Sequence, residues 1–447
     1  MVGADVDPVK VEKLAAGVPP VVEPGLDEVL AAARPRLRTT ECVEDAVESS
    51  EVTFITVPTP SETDGRFSLR YVLDACRRVG GGLTGSGYHL VVVTSTVMPG
   101  ATGGPILRTL VEASRRRCGE EFGLCYSPEF VALGTVIRDF LSPDFVLIGE
   151  SDHRAGDLLE QIYRGVCKNN PPVARMNFVN AELAKLAVNT FVTSKISFAN
   201  LLARVCERLT GADTDVVTSA LALDSRIGSR YLSGRISYGG PCFPRDNRAL
   251  AALAASVGVP ADLPQATDRF NRWQLQWLAD MVVALAQPGA AVGVLGLSYK
   301  PGSDVIEESP GIWLAAELVN RGRQVLVYDP VAATSARTAL PPAVRVAFSA
   351  RACVAESDVV VLATPWSEFS LIPPEAWSRN SPPRLVVDCW RRVPEIASLP
   401  GVHYVPVGHT LPEGRSQEPR SASLGLAISL AQTLSKSPPG SGLRRNS

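Results

Sequence analysis

Residues 324–330 read QVLVYDP. A short apolar run that ends in an acid and then a proline reads as a buried strand reaching the rim of a sheet. The same cadence stands near the start of the chain, where residues 4–8 read ADVDP. A second echo goes with it, because LATP at 362–365 answers TVPTP at 56–60. Two copies of one α/β unit are therefore expected. In the first copy the strand candidates are VGADV (2–6), VTFITV (52–57), HLVVVTS (89–95) and DFVLIG (144–149). In the second they are VGVLGLS (292–298), QVLVYDP (324–330), DVVVLATP (358–365) and RLVVDC (384–389). Helical patterns fall between them, for example at 68–80 and 102–117. This alternation is the signature of a parallel sheet covered on both faces.

Between the two units the texture changes. AELAKLAVNTFVTSKISFANLLARVCERL (181–209) has no Gly or Pro and carries apolar positions at helical spacing. It reads as a central, buried helix at a subunit interface. The expected organisation is a first dinucleotide-binding type domain over 1–175 and a central helical region over 176–287. A second Rossmann-like domain follows over 288–430, and then a Ser/Pro/Gly-rich disordered tail over 431–447.

Composition narrows the function classes. The 447 residues suit two or three domains, and 45% hydrophobic residues can fill their cores. The net charge of −2 and the lack of a dense Lys/Arg block argue against a nucleic-acid partner. No apolar stretch is long enough for a membrane span, and no secretion signal precedes the first strand. The nine cysteines are an odd, scattered set without a CxxC motif, which fits reduced thiols in a cytoplasm. Four histidines, none at ligand spacing, give no reason to expect a metal.

In a dinucleotide-binding fold the first strand runs into a Gly-rich turn, and an acid about 20 residues later takes the ribose hydroxyls. Asp5, ending its strand, is placed to be that acid. The second unit has a full strand, loop and helix before its own Asp-ended strand, from Val292 to about Arg321. The first has only four residues before Asp5. The expectation is that the Gly-rich turn lies upstream of Met1. GGG at 80–82 does not replace it, because no strand runs straight into it.

The chemistry centres on YGGPCFPRD (238–246). Paired glycines allow close backbone approach, and Pro241 and Pro244 stiffen the loop around Cys242. A displayed thiol suits covalent catalysis, with Asp246 holding a water or a proton nearby. A buried structural cysteine in a proline-rich turn reads equally well from these residues alone. Lys185 and Asn189 lie four apart on the central helix and so share a face.

GGPCFPRD resembles the GGSCFPKD signature of the UDP-glucose/GDP-mannose dehydrogenase family. VPTP (57–60), STVMPG (95–100), SPEF (127–130), AELAKLAVNT (181–190), DSRIG (224–228) and YKPGSD (299–304) follow in that family's order. The resemblance spans residue 1 to about residue 410. It implies oxidation of the C6 hydroxyl of a nucleotide-linked hexose to a carboxylate, with about two NAD reduced per sugar. It implies that Cys242 holds the aldehyde-level intermediate as a thiohemiacetal and then a thioester. It further implies that Lys185 and Asn189 stabilise the oxyanion at C6. Glu129 and Thr96 position sugar and water, with Asp246 as partner. Arg226, the loop from Ser233 through Tyr238 to Gly239, and Lys300 meet the sugar nucleotide. Asp5, Lys10, Ser95 and the Val57–Pro58–Thr59 backbone meet NAD.

Three further departures bear on that reading. KPGSDVIEES (300–309) puts Glu307 where the family carries an arginine. Arg245 replaces the family lysine, and VALG (131–134) replaces LREG, which leaves substrate choice open. UDP-glucose is the first expectation, with GDP-mannose and UDP-N-acetyl amino sugars as alternatives and a homodimer as the assembly. Two other readings compete: a relative that binds sugar nucleotide without turnover, and a cysteine hydrolase. The latter needs a histidine beside the thiol, and none of the four lies in a recognisable motif.

Overall fold

A computed structural model describes residues 1–410, so the expected tail at 431–447 and the end of the 288–430 region lie outside the described residues. The second α/β unit forms a six-stranded, all-parallel sheet. Its strands are β8 (Val292–Leu295), β9 (Val325–Tyr328), β10 (Arg345–Val346), β11 (Val359–Leu362), β12 (Arg384–Asp388) and β13 (Val402–Pro406). Their order, β10-β9-β8-β11-β12-β13, is that of a doubly wound dinucleotide-type sheet. β8, β11 and β12 are buried along their whole length, which is why they read as unbroken apolar runs.

The first unit contains β1 (Val2–Ala4), β2 (Arg38–Thr40), β3 (Val52–Ile55), β4 (His89–Val93), β5 (Phe122–Tyr126), β6 (Val146–Glu150) and β7 (Val173–Met176). β3 to β7 form one sheet in chain order, parallel except that β6 runs antiparallel to β5. Among the described residues β1 and β2 pair only with each other. In the second unit β8 lies hydrogen-bonded between β9 and β11. Among the described residues no strand takes the matching place between β1 and β3. GGG at 80–82 ends the helix Arg70–Gly82, where Gly80 and Gly82 let it press against Ala113 and Val47.

Five strands escaped the sequence reading: β2, β5, β7, β10 and β13. β5 is FGLCY, with no β-branched residue, and β10 has two residues. Both are set by tertiary pairing rather than by local propensity.

The long central helix runs from Phe178 to Cys206, and the Asn177 side chain caps it by accepting from the Asn180 amide at 3.0 Å. Within a single chain it is buried on one face only. Its inner face carries Glu182, Lys185, Thr193, Asn200 and Arg204, all buried. Its outer face shows Leu183, Phe191, Phe198, Leu201 and Val205 to solvent, with Phe191 72% exposed. A helix whose polar residues point inward is shaped by a site rather than by a core alone.

Candidate active site

The Cys242 loop is suspended between two helices by side-chain amides. From the central helix, Asn200 accepts from the Arg235 amide (2.7 Å) and donates to the Ile236 carbonyl (3.2 Å). From the helix Asp262–Leu285, Asn271 accepts from the Tyr238 amide and donates to its carbonyl, both at 2.9 Å. The buried Tyr238 hydroxyl receives the Asn247 amide at 2.9 Å. These four backbone groups of the loop are thus paired by side chains rather than by regular structure.

The paired glycines have separate reasons. A Cβ on Gly239 would lie 2.2 Å from the Glu308 carbonyl oxygen. Gly240 holds φ +87°, and a Cβ there would strike the Tyr299 ring at 2.6 Å. Its amide donates to the Glu307 carbonyl at 3.1 Å. The second unit's 299–308 loop therefore closes directly on the cysteine turn.

Cys242 stands at the N-terminus of the helix Phe243–Ser256 and is reached by solvent, with protein packed closely around it. Desolvation by that surrounding protein, then the Asp246 carboxylate, push the thiol above its ordinary range. Arg245 and Lys185 pull the other way, and Glu307 adds to the rise. The thiol is thus held protonated at neutral pH and reacts through a base or at higher pH. While Asp246 is ionised, its removal as Asp246→Asn lowers the thiol pKa. Iodoacetamide labelling of Cys242 at pH 8 is expected to speed up by roughly threefold to tenfold, since one pKa unit is tenfold in thiolate. Slower or unchanged labelling would refute this electrostatic coupling.

Asp246 is 1% exposed and accepts from Asn189 Nδ2 at 2.6 Å and Arg245 Nε at 3.3 Å. Burial raises its pKa, and Arg245 acts against that. Lys185, 8% exposed, donates to the Glu129 carbonyl at 2.5 Å and lies over the Phe130 ring, 4.3 Å from its centroid. Burial lowers the Lys185 pKa, with Asp246 the first of the anions opposing it. Burial likewise raises the Glu129 carboxyl, with Lys185 opposing. Cys242, Lys185, Asn189, Asp246 and Glu129 thus form one interacting group.

The loops after β3 and β4 form the rim beside it. The Ser95 hydroxyl donates to the Val57 carbonyl at 2.6 Å, and the Thr59 hydroxyl to the Thr96 carbonyl at 2.8 Å. Pro58 lies between them in the chain. Arg245 spans the gap to this rim, reaching the Thr59 carbonyl at 3.3 Å over the Phe67 ring. Glu182, fully buried, orders the turn after Thr96 by accepting from the Gly100 and Thr102 amides at 2.6 and 2.7 Å.

Other expected residues sit apart from this group. Asp5 follows β1 and pairs with Lys10 at 3.4 Å. Arg226 is 86% exposed and pairs with Asp224 in its own turn. Ser233 accepts from Arg235 at 3.1 Å, and Lys300 is half-buried beside Tyr299. Asn200, Asn271, Asn247, Glu182 and Phe67 went unread in the sequence, because each is a lone residue whose partner is chosen by the fold.

Asp213, Asp215 and His409 bring three ligand atoms within 4.8 Å of one another. Asp215 is already paired with Arg391 at 2.6 Å, and Asp213 caps the helix Thr214–Ala222, so we assign them no metal. A cavity of about 520 Å³ opens at the opposite rim of the second sheet, lined by Leu285, Pro288, Val359, Leu385 and Val402. It lies at the starts of strands, away from the cysteine turn.

Comparison with known proteins gives three matches to one family. Residues 1–167 match the NAD binding domain of the UDP-glucose/GDP-mannose dehydrogenase family, 179–273 its central domain and 293–395 its UDP binding domain. A UDP-glucose 6-dehydrogenase of Haloferax volcanii is 37% identical over 87% of this chain and 90% of its own. A GDP-mannose 6-dehydrogenase of Pseudomonas putida is 34% identical over 74% of this chain and 75% of its own. The structure of a UDP-glucose dehydrogenase from Pyrobaculum islandicum superposes with a TM-score of 0.82 at 36% identity, covering 92% of each chain.

Proposed function

The chain belongs to the UDP-glucose/GDP-mannose dehydrogenase family, and on that premise we propose that it oxidises C6 of UDP-glucose to give UDP-glucuronate. It is an NAD-dependent nucleotide-sugar dehydrogenase. The choice of UDP-glucose is supported by coverage. Relatives named for that substrate match 87% and 82% of the chain, against 74% for the GDP-mannose enzyme. The observation that carries the mechanism is the group formed by buried Lys185 and Asp246 with half-buried Asn189 around Cys242.

The rim residues suit NAD. Asp5 presents a carboxylate at 37% side-chain exposure after β1, and Thr59 and Ser95 fix the loops after β3 and β4 through their hydroxyls. Asp5 and Lys10 would meet the ribose side, with Val57–Thr59 and Ser95 lining the path to the cysteine. NAD bound there supplies the acceptor for the two hydrides that leave C6.

The chain's own residues do the rest. Lys185 and Asn189 donate to the oxygen on C6 as negative charge develops there. Burial brings Lys185 toward the range in which an ammonium can give and take a proton. Cys242 Sγ adds to the C6 aldehyde, its proton passing to the new hydroxyl, so the intermediate stays bound. At the thioester level a water held by Asp246, Glu129 and Thr96 attacks the carbonyl carbon. The C–S bond breaks, the acid leaves, and the thiol regains its proton.

Arg226, Ser233, Tyr238, Gly239 and Lys300 would hold the sugar nucleotide. The exposed apolar face of the central helix would pair with a second copy as a homodimer. Nine free cysteines suit a reducing compartment such as the cytoplasm, and no described helix is long and apolar enough to cross a membrane. The test is NADH absorbance with UDP-glucose, GDP-mannose and UDP-N-acetylmannosamine in parallel. About two NADH per UDP-glucose, at the highest kcat/KM, is expected. A higher kcat/KM on either other sugar would replace the substrate assignment.

A further inference from the structure

Glu23 precedes the helix Leu26–Ala33, in a segment that carries none of the proposed site residues, yet it is 9% exposed. Its carboxylate accepts from the Gly134 and Val136 amides, one on each oxygen, both at 2.7 Å. The Gly134 amide belongs to the loop that starts two residues after Glu129, and the Val136 amide opens the short helix Val136–Leu141 that ends it. The other end of that loop is fixed by Lys185, which donates to the Glu129 carbonyl. The side chains of Val131, Ala132 and Leu133 offer no polar grip on the fold. Thr135 bonds to Asp139 and to the Ala132 carbonyl, and the Ala132 amide to Asp139, all within the same segment.

The loop also meets the second unit backbone to backbone. Gly134 holds φ +82°, and a Cβ there would come 2.9 Å from the Gly302 carbonyl oxygen. Gly302 holds φ +77°, with the Gly134 Cα 3.3 Å from where its own Cβ would stand. Gly302 lies two residues after Lys300. Glu23 and Asp139 are the anions that face that half-buried ammonium, with Arg138 opposing.

We propose that Glu23 is a positioning residue for the nucleotide-sugar side of the site, clamping the 131–136 loop onto the Pro301–Gly302 turn. The clamp sets Glu129 and Phe130 on one side and Lys300 on the other, where the family's LREG is replaced by an apolar VALG. Backbone amides gripped by a distant carboxylate do here what side chains of the loop cannot. The proposal rests on the dehydrogenase reading for its kinetic consequence, but not for its structural one.

Glu23→Gln keeps the shape and one acceptor while turning an amide N–H₂ toward a backbone N–H. Hydrogen exchange at Gly134 and Val136 is expected to speed up at least about tenfold, the scale of losing a charge-assisted bond. Other loops should keep their protection. KM for UDP-glucose is expected to rise at least about tenfold more than kcat falls, with KM for NAD unmoved. Gly302→Ala approaches the same contact from the second unit and should reproduce the split. Unchanged exchange at the two amides, or kcat and both KM values shifting together, would overturn the clamp. If the unaltered protein turns over no nucleotide sugar, the dehydrogenase reading fails, and the exchange result still decides the clamp.

Discussion

Cys242→Ala is expected to cut UDP-glucuronate formation by about 10³-fold or more, the scale on which loss of a covalent nucleophile acts. The variant keeps the helix that follows, because Cys242 makes no side-chain cap there and Pro244 occupies its first turn. Binding of UDP-glucose should stay within about threefold, since a small side chain at a solvent-reached position carries little of it. Calorimetric binding beside NADH absorbance checks both halves. A variant that still gave about two NADH per sugar at a tenth of the normal rate would exclude covalent capture at this thiol.

Lys185→Ala comes second, with an expected loss of about 10²–10³ in kcat, as for one aimed donor at a developing oxyanion. Stability should move the other way or not at all. The ammonium is nearly buried, and burial already disfavours its charged form. Its removal therefore relieves a desolvation cost of the kind that buried charges carry. Lys185→Arg should fail to restore the rate. A planar guanidinium does not fit a slot bounded by the Phe130 ring and the Glu129 carbonyl. Thermal unfolding and kcat measured on the same samples separate the two effects. Loss of rate together with a clear fall in melting temperature would make Lys185 a structural residue.

The parts of the molecule legible in its sequence share a physical cause. β8, β11 and β12 are buried on both faces, so they had to be written as continuous Val/Leu runs. That Lys185 and Asn189 share a face was legible from helical spacing, and that GGPCFPRD is a tight turn from its glycines and prolines, but the roles of these residues were legible only through the family resemblance. β5, by contrast, is a strand because β4 and β6 flank it, not because of its FGLCY residues. Asn271, Glu23 and Glu182 each grip a backbone segment far away in the chain. A lone Asn or Glu on a helix or loop carries no local mark of such a partner. Phe191 and its neighbours read as buried because they are apolar, and within one chain the fold turns them to solvent.

The central claim is that both oxidations pass through a sugar held on Cys242. Mixing the protein with UDP-glucose and NAD, quenching in acid, and mapping peptides by mass spectrometry tests it most directly. An acyl adduct of the UDP-glucuronyl group on the peptide containing residue 242, absent from Cys242→Ala, is the predicted result. Full conversion to UDP-glucuronate with that peptide unmodified at every quench time, or with the adduct on another residue, would contradict it.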